Sequence, residues 1–247
     1  MTEPVLSEDR VLGGRVLLRQ PVAGFRAAID PVLLAAAVPA EGEARVLELG
    51  AGTGAASLCL ARRVEGCRIT GLELQPDLAA IAAGNAVLNG LEARVSFLAG
   101  DILDPPAALA PGSFDHVMAN PPYLASGTAT LPPGAARALA VGEGEADLAR
   151  WVEFALSRVR PRGSVTFIHR ADRLADLLAA LAGRAGEIAI LPLWPGPGKS
   201  AKRIILRARR GIESPLRLLP GLTLHGPGGG YSPDADAILR DAAALSF

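Results

Sequence analysis

A chain of 247 residues, half of them hydrophobic, can form one α/β domain with a full core, or a large domain with a short appendage. Its basic and acidic residues balance to no net charge, so the whole-molecule field does not announce a nucleic-acid partner, and one would have to be met by a local patch. Cys59 and Cys67 lack metal-ligand spacing, Met1–Arg10 is acidic rather than leader-like, and the apolar stretch Pro31–Ala40 is too short to span a bilayer; together these predict a soluble, cytoplasmic protein with no metal and no membrane partner.

In chain order, Asp30 followed by Pro31 and an apolar run predicts a capped helix start. From Arg45 onward short apolar runs alternate with helical stretches. Strands are expected at Arg45–Leu49, Arg68–Leu72, Arg94–Ala99, His116–Ala119, Ser164–His169 and Arg203–Arg207. Helices are expected at Ala55–Val64 and Asp77–Asn89. A further helix is marked by Leu148, Trp151, Val152, Ala155, Leu156 and Val159, and should stop at Pro161 and Gly163. Such alternation implies a mainly parallel sheet covered on both faces. Pro121–Gly144 reads as a long loop after the fourth strand, where open α/β sheets place function. Pro192–Ser200 reads as a turn before the last strand, and Pro233–Arg240 as a short helix. The expected organisation is an N-terminal extension (1–40) packed on a core domain (41–210), then a C-terminal extension (211–247).

The first core strand runs into Glu48-Leu49-Gly50-Ala51-Gly52-Thr53-Gly54. Glycines there permit a tight turn and let a ligand approach main-chain amides at a helix start. The turn also satisfies the dinucleotide fingerprint at Gly50, Gly52 and Ala55. Glu48 argues against a pyrophosphate, because its carboxylate would repel one and attract an amino group. Glu73 closes the next strand, where a carboxylate can accept both ribose hydroxyls or simply be solvated. Asp101 closes the third strand, where it suits an adenine amino group or a helix cap.

The fourth strand ends Asn120-Pro121-Pro122-Tyr123. Consecutive prolines fix the backbone and donate no hydrogen bond. The Asn120 side-chain oxygen and the Pro121 carbonyl can then accept both hydrogens of a planar NH2, while Tyr123 offers a stacking face. Lys199 and Lys202 lie with Arg203, Arg207, Arg209 and Arg210 in an acid-free stretch, a pattern suited to phosphate or to a protected edge strand. His116, His169 and His225 are dispersed and none is assigned to catalysis. Trp151 sits at core spacing.

This ordered set resembles the class I S-adenosylmethionine methyltransferases, and the N-P-P-Y motif resembles those acting on adenine N6 or on glutamine amides. Over nearly the whole chain, from Gly24-Phe25-Arg26-Ala27-Ala28-Ile29-Asp30-Pro31 to Pro197-Gly198-Lys199 and Arg203, it resembles the bacterial tRNA (adenine-N6)-methyltransferases of valine tRNA. The resemblance implies a Rossmann-like, seven-stranded, mostly parallel sheet with helices on both faces and an antiparallel strand near Arg203–Arg207. It implies S-adenosylmethionine, with S-adenosylhomocysteine as product, held by Asp30, Glu48, Gly50, Gly52, Gly54, Glu73, Leu74, Asp101, Ile102 and Asn120. Asn120, Pro121 and Tyr123 would serve catalysis, and Pro122, Tyr123, Lys199, Lys202 and Arg203 the tRNA. The alternatives are a protein-glutamine methyltransferase, another N6-adenine methyltransferase, an NAD-type dehydrogenase and an idle tRNA-binding module.

Overall fold

The computed structural model describes residues 5–23, 26–122 and 147–247. Strands β1 (Leu6–Val11) and β2 (Val16–Pro21) form a separate antiparallel hairpin. Then come α1 (Asp30–Ala37), β3 (Arg45–Leu49), α2 (Ala55–Arg63), β4 (Arg68–Glu73), α3 (Pro76–Leu88), β5 (Val95–Ala99) and β6 (Phe114–Ala119). After the loop follow α4 (Leu148–Arg158), β7 (Val159–Arg170), α5 (Leu174–Leu181), β8 (Ala185–Trp194) and β9 (Arg203–Arg210), then β10 (Arg217–Leu218), β11 (Leu222–Thr223) and α6 (Pro233–Asp241).

Seven strands in the order β8-β9-β7-β6-β3-β4-β5 make the expected sheet, with β9 antiparallel to both neighbours. The two-residue strands β10 and β11 extend it beside β8. Side chains alternate across it. Val46, Ile69, Met118, Ile168 and Ile205 face a core with α1, α2, α6 and the hairpin; Leu47, Leu49, Leu72, Val117 and Phe167 face one with α4 and α5. Burial on both faces is why these strands read as continuous apolar runs. Strand order reverses between β3 and β6, paired through Leu49 and Ala119, so the crevice of the sheet opens at their carboxyl ends.

Prolines mark where expectation and structure part. Helix α4, capped by the Asp147 carboxylate accepting from Arg150 N at 2.9 Å, stops before Pro161 as expected. The chain then enters β7 at once, and Pro161 and Gly163 lie within a strand rather than after a helix. Pairing jumps from Phe114–Val159 to His116–Ser164, a bulge that leaves Pro161 without a ladder bond to make. Likewise β8 runs through Pro192, expected to begin a turn. Its outer partners attach at Ala189–Ile190 and at Leu193–Trp194, leaving a gap at the residue that has no N–H to give.

The hairpin is clamped to α3 by two buried asparagines. Asn85 Oδ1 accepts from Arg19 N at 2.9 Å and its Nδ2 donates to Arg19 O at 3.0 Å; Asn89 does the same with Leu17 at 2.9 and 2.7 Å. Each amide thus substitutes for a neighbouring strand. Asn85 Nδ2 also donates to Thr53 O at 2.9 Å, joining hairpin, helix and glycine turn. Asn85→Ala leaves several buried backbone groups without partners, so it is expected to cost about 2 kcal/mol or more of unfolding free energy. A urea unfolding midpoint equal to wild type would refute the clamp.

Candidate functional site

The turn after β3 is held by its neighbours. Gly50 N and Ala51 N both donate to Leu72 O, at 2.8 and 3.0 Å, and Gly54 N donates to Ala51 O at 2.8 Å. Gly50 and Gly54 have φ of +67° and +86°, where a side chain is strained. A Cβ at Gly50 would meet the Trp151 ring at 2.8 Å, so the packing tryptophan of α4 also supports the turn. A Cβ at Gly52 would meet nothing within 4 Å among the described residues.

Two carboxylates brace the turn. Glu73 accepts from Gly52 N at 2.7 Å and from Gln75 N at 2.9 Å. Glu48, nearly fully buried, accepts from Ser57 N at 2.9 Å and from Ser57 Oγ at 2.5 Å. Burial pushes its carboxyl up to about 8 despite the Ser57 hydrogen bonds, and Glu73 adds a little to the rise.

One cavity gathers Glu48, Gly50, Gly52 and Asn120 with Ala51, Thr53, Gln75, Leu78 and, from α1, the hairpin and the segment between them, Pro31, Leu34, Gln20 and Ala27. Asn120 Oδ1 is buried and, among the described residues, has no hydrogen-bond partner. Pro121 is buried and Pro122 half-buried, whereas Tyr123 lies outside the described residues. Gly54, Glu73, Leu74, Asp101 and Ile102 are not among the lining residues. Gly54 caps α2, Glu73 acts through Gly52, and Asp101 accepts from Leu103 N at 2.9 Å in its own turn. Asp30 pairs with Arg203 at 2.8 Å, so two residues expected to serve different ligands meet each other. Lys199 and Lys202 are exposed at the same end of the sheet.

Gln20, Thr53, Gln75 and Leu78 were not anticipated. Gln20 Oε1 accepts from Ala27 N at 2.7 Å and its Nε2 donates to Asp9 at 3.0 Å. The alternation Val16, Leu18, Gln20, all buried, was the available signal. His116, bonded to Ser164, and His169 sit in strands, and burial pulls both imidazoles down to about 4, so both are neutral at pH 7.

The lining carries a carboxylate and amide groups and, among the described residues, no lysine or arginine. A pyrophosphate is poorly matched to that set. A phosphate-free nucleoside bearing an amino acid is well matched, because Glu48 can meet its ammonium and the turn offers close backbone approach.

A family model for a methyltransferase domain matches residues 46–142. A protein of Porphyromonas gingivalis strain W83, named tRNA1(Val) (adenine(37)-N6)-methyltransferase, is 30% identical over 92% of both chains. A release factor glutamine methyltransferase of Deinococcus radiodurans is 33% identical over 67% of this chain and 58% of its own. The solved structure of a predicted O-methyltransferase from Agrobacterium tumefaciens superposes with a TM-score of 0.74 at 27% identity, covering 88% of this chain and 99% of that one. Sheet, turn and cavity define a class I methyltransferase whose methyl donor is S-adenosylmethionine. The chain belongs to the tRNA1(Val) (adenine(37)-N6)-methyltransferase family.

Proposed function

We propose that the enzyme methylates the exocyclic N6 of an adenine in tRNA, at the anticodon-loop position immediately 3′ of the anticodon. The observation that carries this reading is the buried Asn120 Oδ1 beside the glycine turn, without a partner among the described residues. Coverage supports RNA over protein: the Porphyromonas gingivalis W83 relative bearing the tRNA name matches along 92% of both chains, the glutamine enzyme along 58% of its own length.

S-adenosylmethionine, when bound, supplies an electrophilic sulfonium methyl. Glu48 holds its amino group, Gly50 and Gly52 let it approach the backbone, and Glu73 fixes the turn. Asn120 Oδ1 and the Pro121 carbonyl accept the two hydrogens of the adenine NH2, which draws the lone pair out of ring conjugation. As that nitrogen gains positive charge its N–H bonds polarise, the two acceptors bind it more tightly than in the ground state, and one proton passes to water. Entry of the base costs an unstacking of a few kcal/mol, which anticodon-loop substrates keep small. No covalent nucleophile is needed. Purified enzyme offered labelled donor with deproteinised tRNA or release-factor protein should label the tRNA; label on protein alone refutes the reading.

Glu48 gives a pH dependence with a definite sign. Its folded-state pKa of about 8 lies above the ordinary glutamate value of about 4.5, so the stability of the free protein falls as pH rises between those values. An ammonium in the cavity requires the carboxylate form, so binding near pH 7 releases a proton. Affinity for S-adenosylhomocysteine should rise roughly tenfold from pH 6 to 7 and level off above 8. Calorimetry in buffers of different ionisation enthalpy should detect the released proton, and Glu48→Gln should abolish the release; absence of proton exchange in wild type contradicts this role.

A further inference from the structure

We propose that the loop 195–202 and the glycine-rich loop 225–231 of the tail form one basic and aromatic surface that holds the tRNA backbone and stacks an unpaired base several nucleotides from the modified one. The inference rests on the tRNA reading above.

The two loops are built on each other. Leu224 N donates to Trp194 O at 2.8 Å, and Ser232 N returns to Leu224 O at 2.9 Å. Trp194, Gly196, Lys199 and Thr223 line one shallow depression. A Cβ at Gly196 would stand 3.5 Å from His225 O and 3.9 Å from Lys199 Cδ, so the lysine stem and the tail loop meet over that glycine. Within the tail loop the rings of His225 and Tyr231 stack at 5.0 Å and 19°, and Tyr231 is exposed.

Charge is segregated here. Between Trp194 and Asp234 stand Lys199, Lys202, Arg203, Arg207, Arg209, Arg210 and Arg217, against Glu213 alone. Inward contacts occupy most of these arginines. Arg203 pairs with Asp30, Arg207 covers the Phe247 ring at 4.2 Å, Arg209 meets Glu187 and Arg162 O, and Arg210 donates to Val159 O. Lys199 and Lys202 remain exposed at the open end of the sheet. Exposed ammonium groups on a loop that meets one carrying an exposed tyrosine suit phosphates flanking an unstacked base.

Position fits the same partner. Lys202 O accepts from Ala171 N at 3.0 Å, at the end of β7, which neighbours the strand ending in Asn120. Three strand intervals of about 4.8 Å separate β6 from β8, placing the near edge of the surface about 14 Å from Asn120, roughly the span of four stacked nucleotides, with the tail loop further out beside β11.

The test measures initial methylation rates against tRNA concentration at several salt concentrations, with S-adenosylhomocysteine titrated on each protein. For Lys199→Ala/Lys202→Ala the KM for tRNA should rise about tenfold or more, and its logarithmic salt slope should fall by about two. For Tyr231→Ala the KM should rise about tenfold with the salt slope unchanged, and Tyr231→Phe should restore it. Unchanged affinity for S-adenosylhomocysteine shows that each variant is folded. In the wild-type enzyme, saturating tRNA should protect Lys199 and Lys202 from amine acetylation, which needs no variant. Labelled tRNA with wild-type KM and slope in every variant, and no protection, overturns the surface alone. Wild-type enzyme that labels release-factor protein and no tRNA overturns the functional reading and the surface together.

Discussion

Asn120→Ala is expected to lower kcat on tRNA by about 10²- to 10³-fold while leaving the affinity for S-adenosylhomocysteine near wild type. The separation follows from what the side chain does. Its Oδ1 is buried beside the glycine turn without a partner among the described residues, so truncation removes an acceptor and strands none of their donors. The lost interaction is one that strengthens as charge grows on the attacking nitrogen. Therefore kcat and kcat/KM should fall together, rather than KM alone. Asn120→Asp keeps an oxygen acceptor and should retain more activity than alanine. Equal activity of Asn120→Ala and wild type would remove this residue from the chemistry. Loss of cofactor binding in step with activity would instead make it part of the donor site.

Gly50→Val is expected to reduce affinity for S-adenosylhomocysteine by at least about 100-fold and to destabilise the fold by roughly 2–4 kcal/mol. Two independent penalties meet at this position. The backbone sits at φ +67°, and a Cβ would lie 2.8 Å from the Trp151 ring, itself packed between α4 and the sheet. The turn cannot move aside cheaply, because Gly50 N and Ala51 N share Leu72 O while Glu73 holds Gly52 N. Gly52→Ala isolates the strain, since that Cβ meets nothing within 4 Å and φ is +53°. It should cost only about 1–2 kcal/mol of stability. Replacing Trp151 by leucine in the Gly50→Val background should recover part of the lost stability and none of the strain. Calorimetry and urea unfolding of the set would separate the two terms, and a Gly50→Val protein with wild-type affinity would show that the turn does not approach the ligand.

Much of this architecture was legible because burial leaves a local trace. Arg45–Leu49 and His116–Ala119 read as strands since both faces are covered, and Gly50–Gly54 read as a turn since few residues but glycine adopt those dihedrals. The hairpin was not legible. In β1 no face is apolar, and β2 buries Gln20 where a hydrophobic residue would have signalled a strand. Its edge is completed by Asn85 and Asn89, whose role depends on a contact distant in sequence. Pro161 and Pro192 were misleading for a different reason. Proline stops a strand only where its missing N–H is needed, and a bulge and a gap in the edge pairing remove that need. At the site, Glu48, Gly50, Gly52 and Asn120 converge as their order along the first and fourth core strands implied. The pairing of Asp30 with Arg203 had no local trace, because each residue alone looked suited to a ligand.

Nucleoside mass spectrometry of tRNA from cells with and without this protein tests the central claim most directly. Loss of N6-methyladenosine from the position 3′ of the anticodon in valine tRNA, restored by wild type and not by Asn120→Ala, is the predicted result. Undiminished N6-methyladenosine in that tRNA would contradict the account.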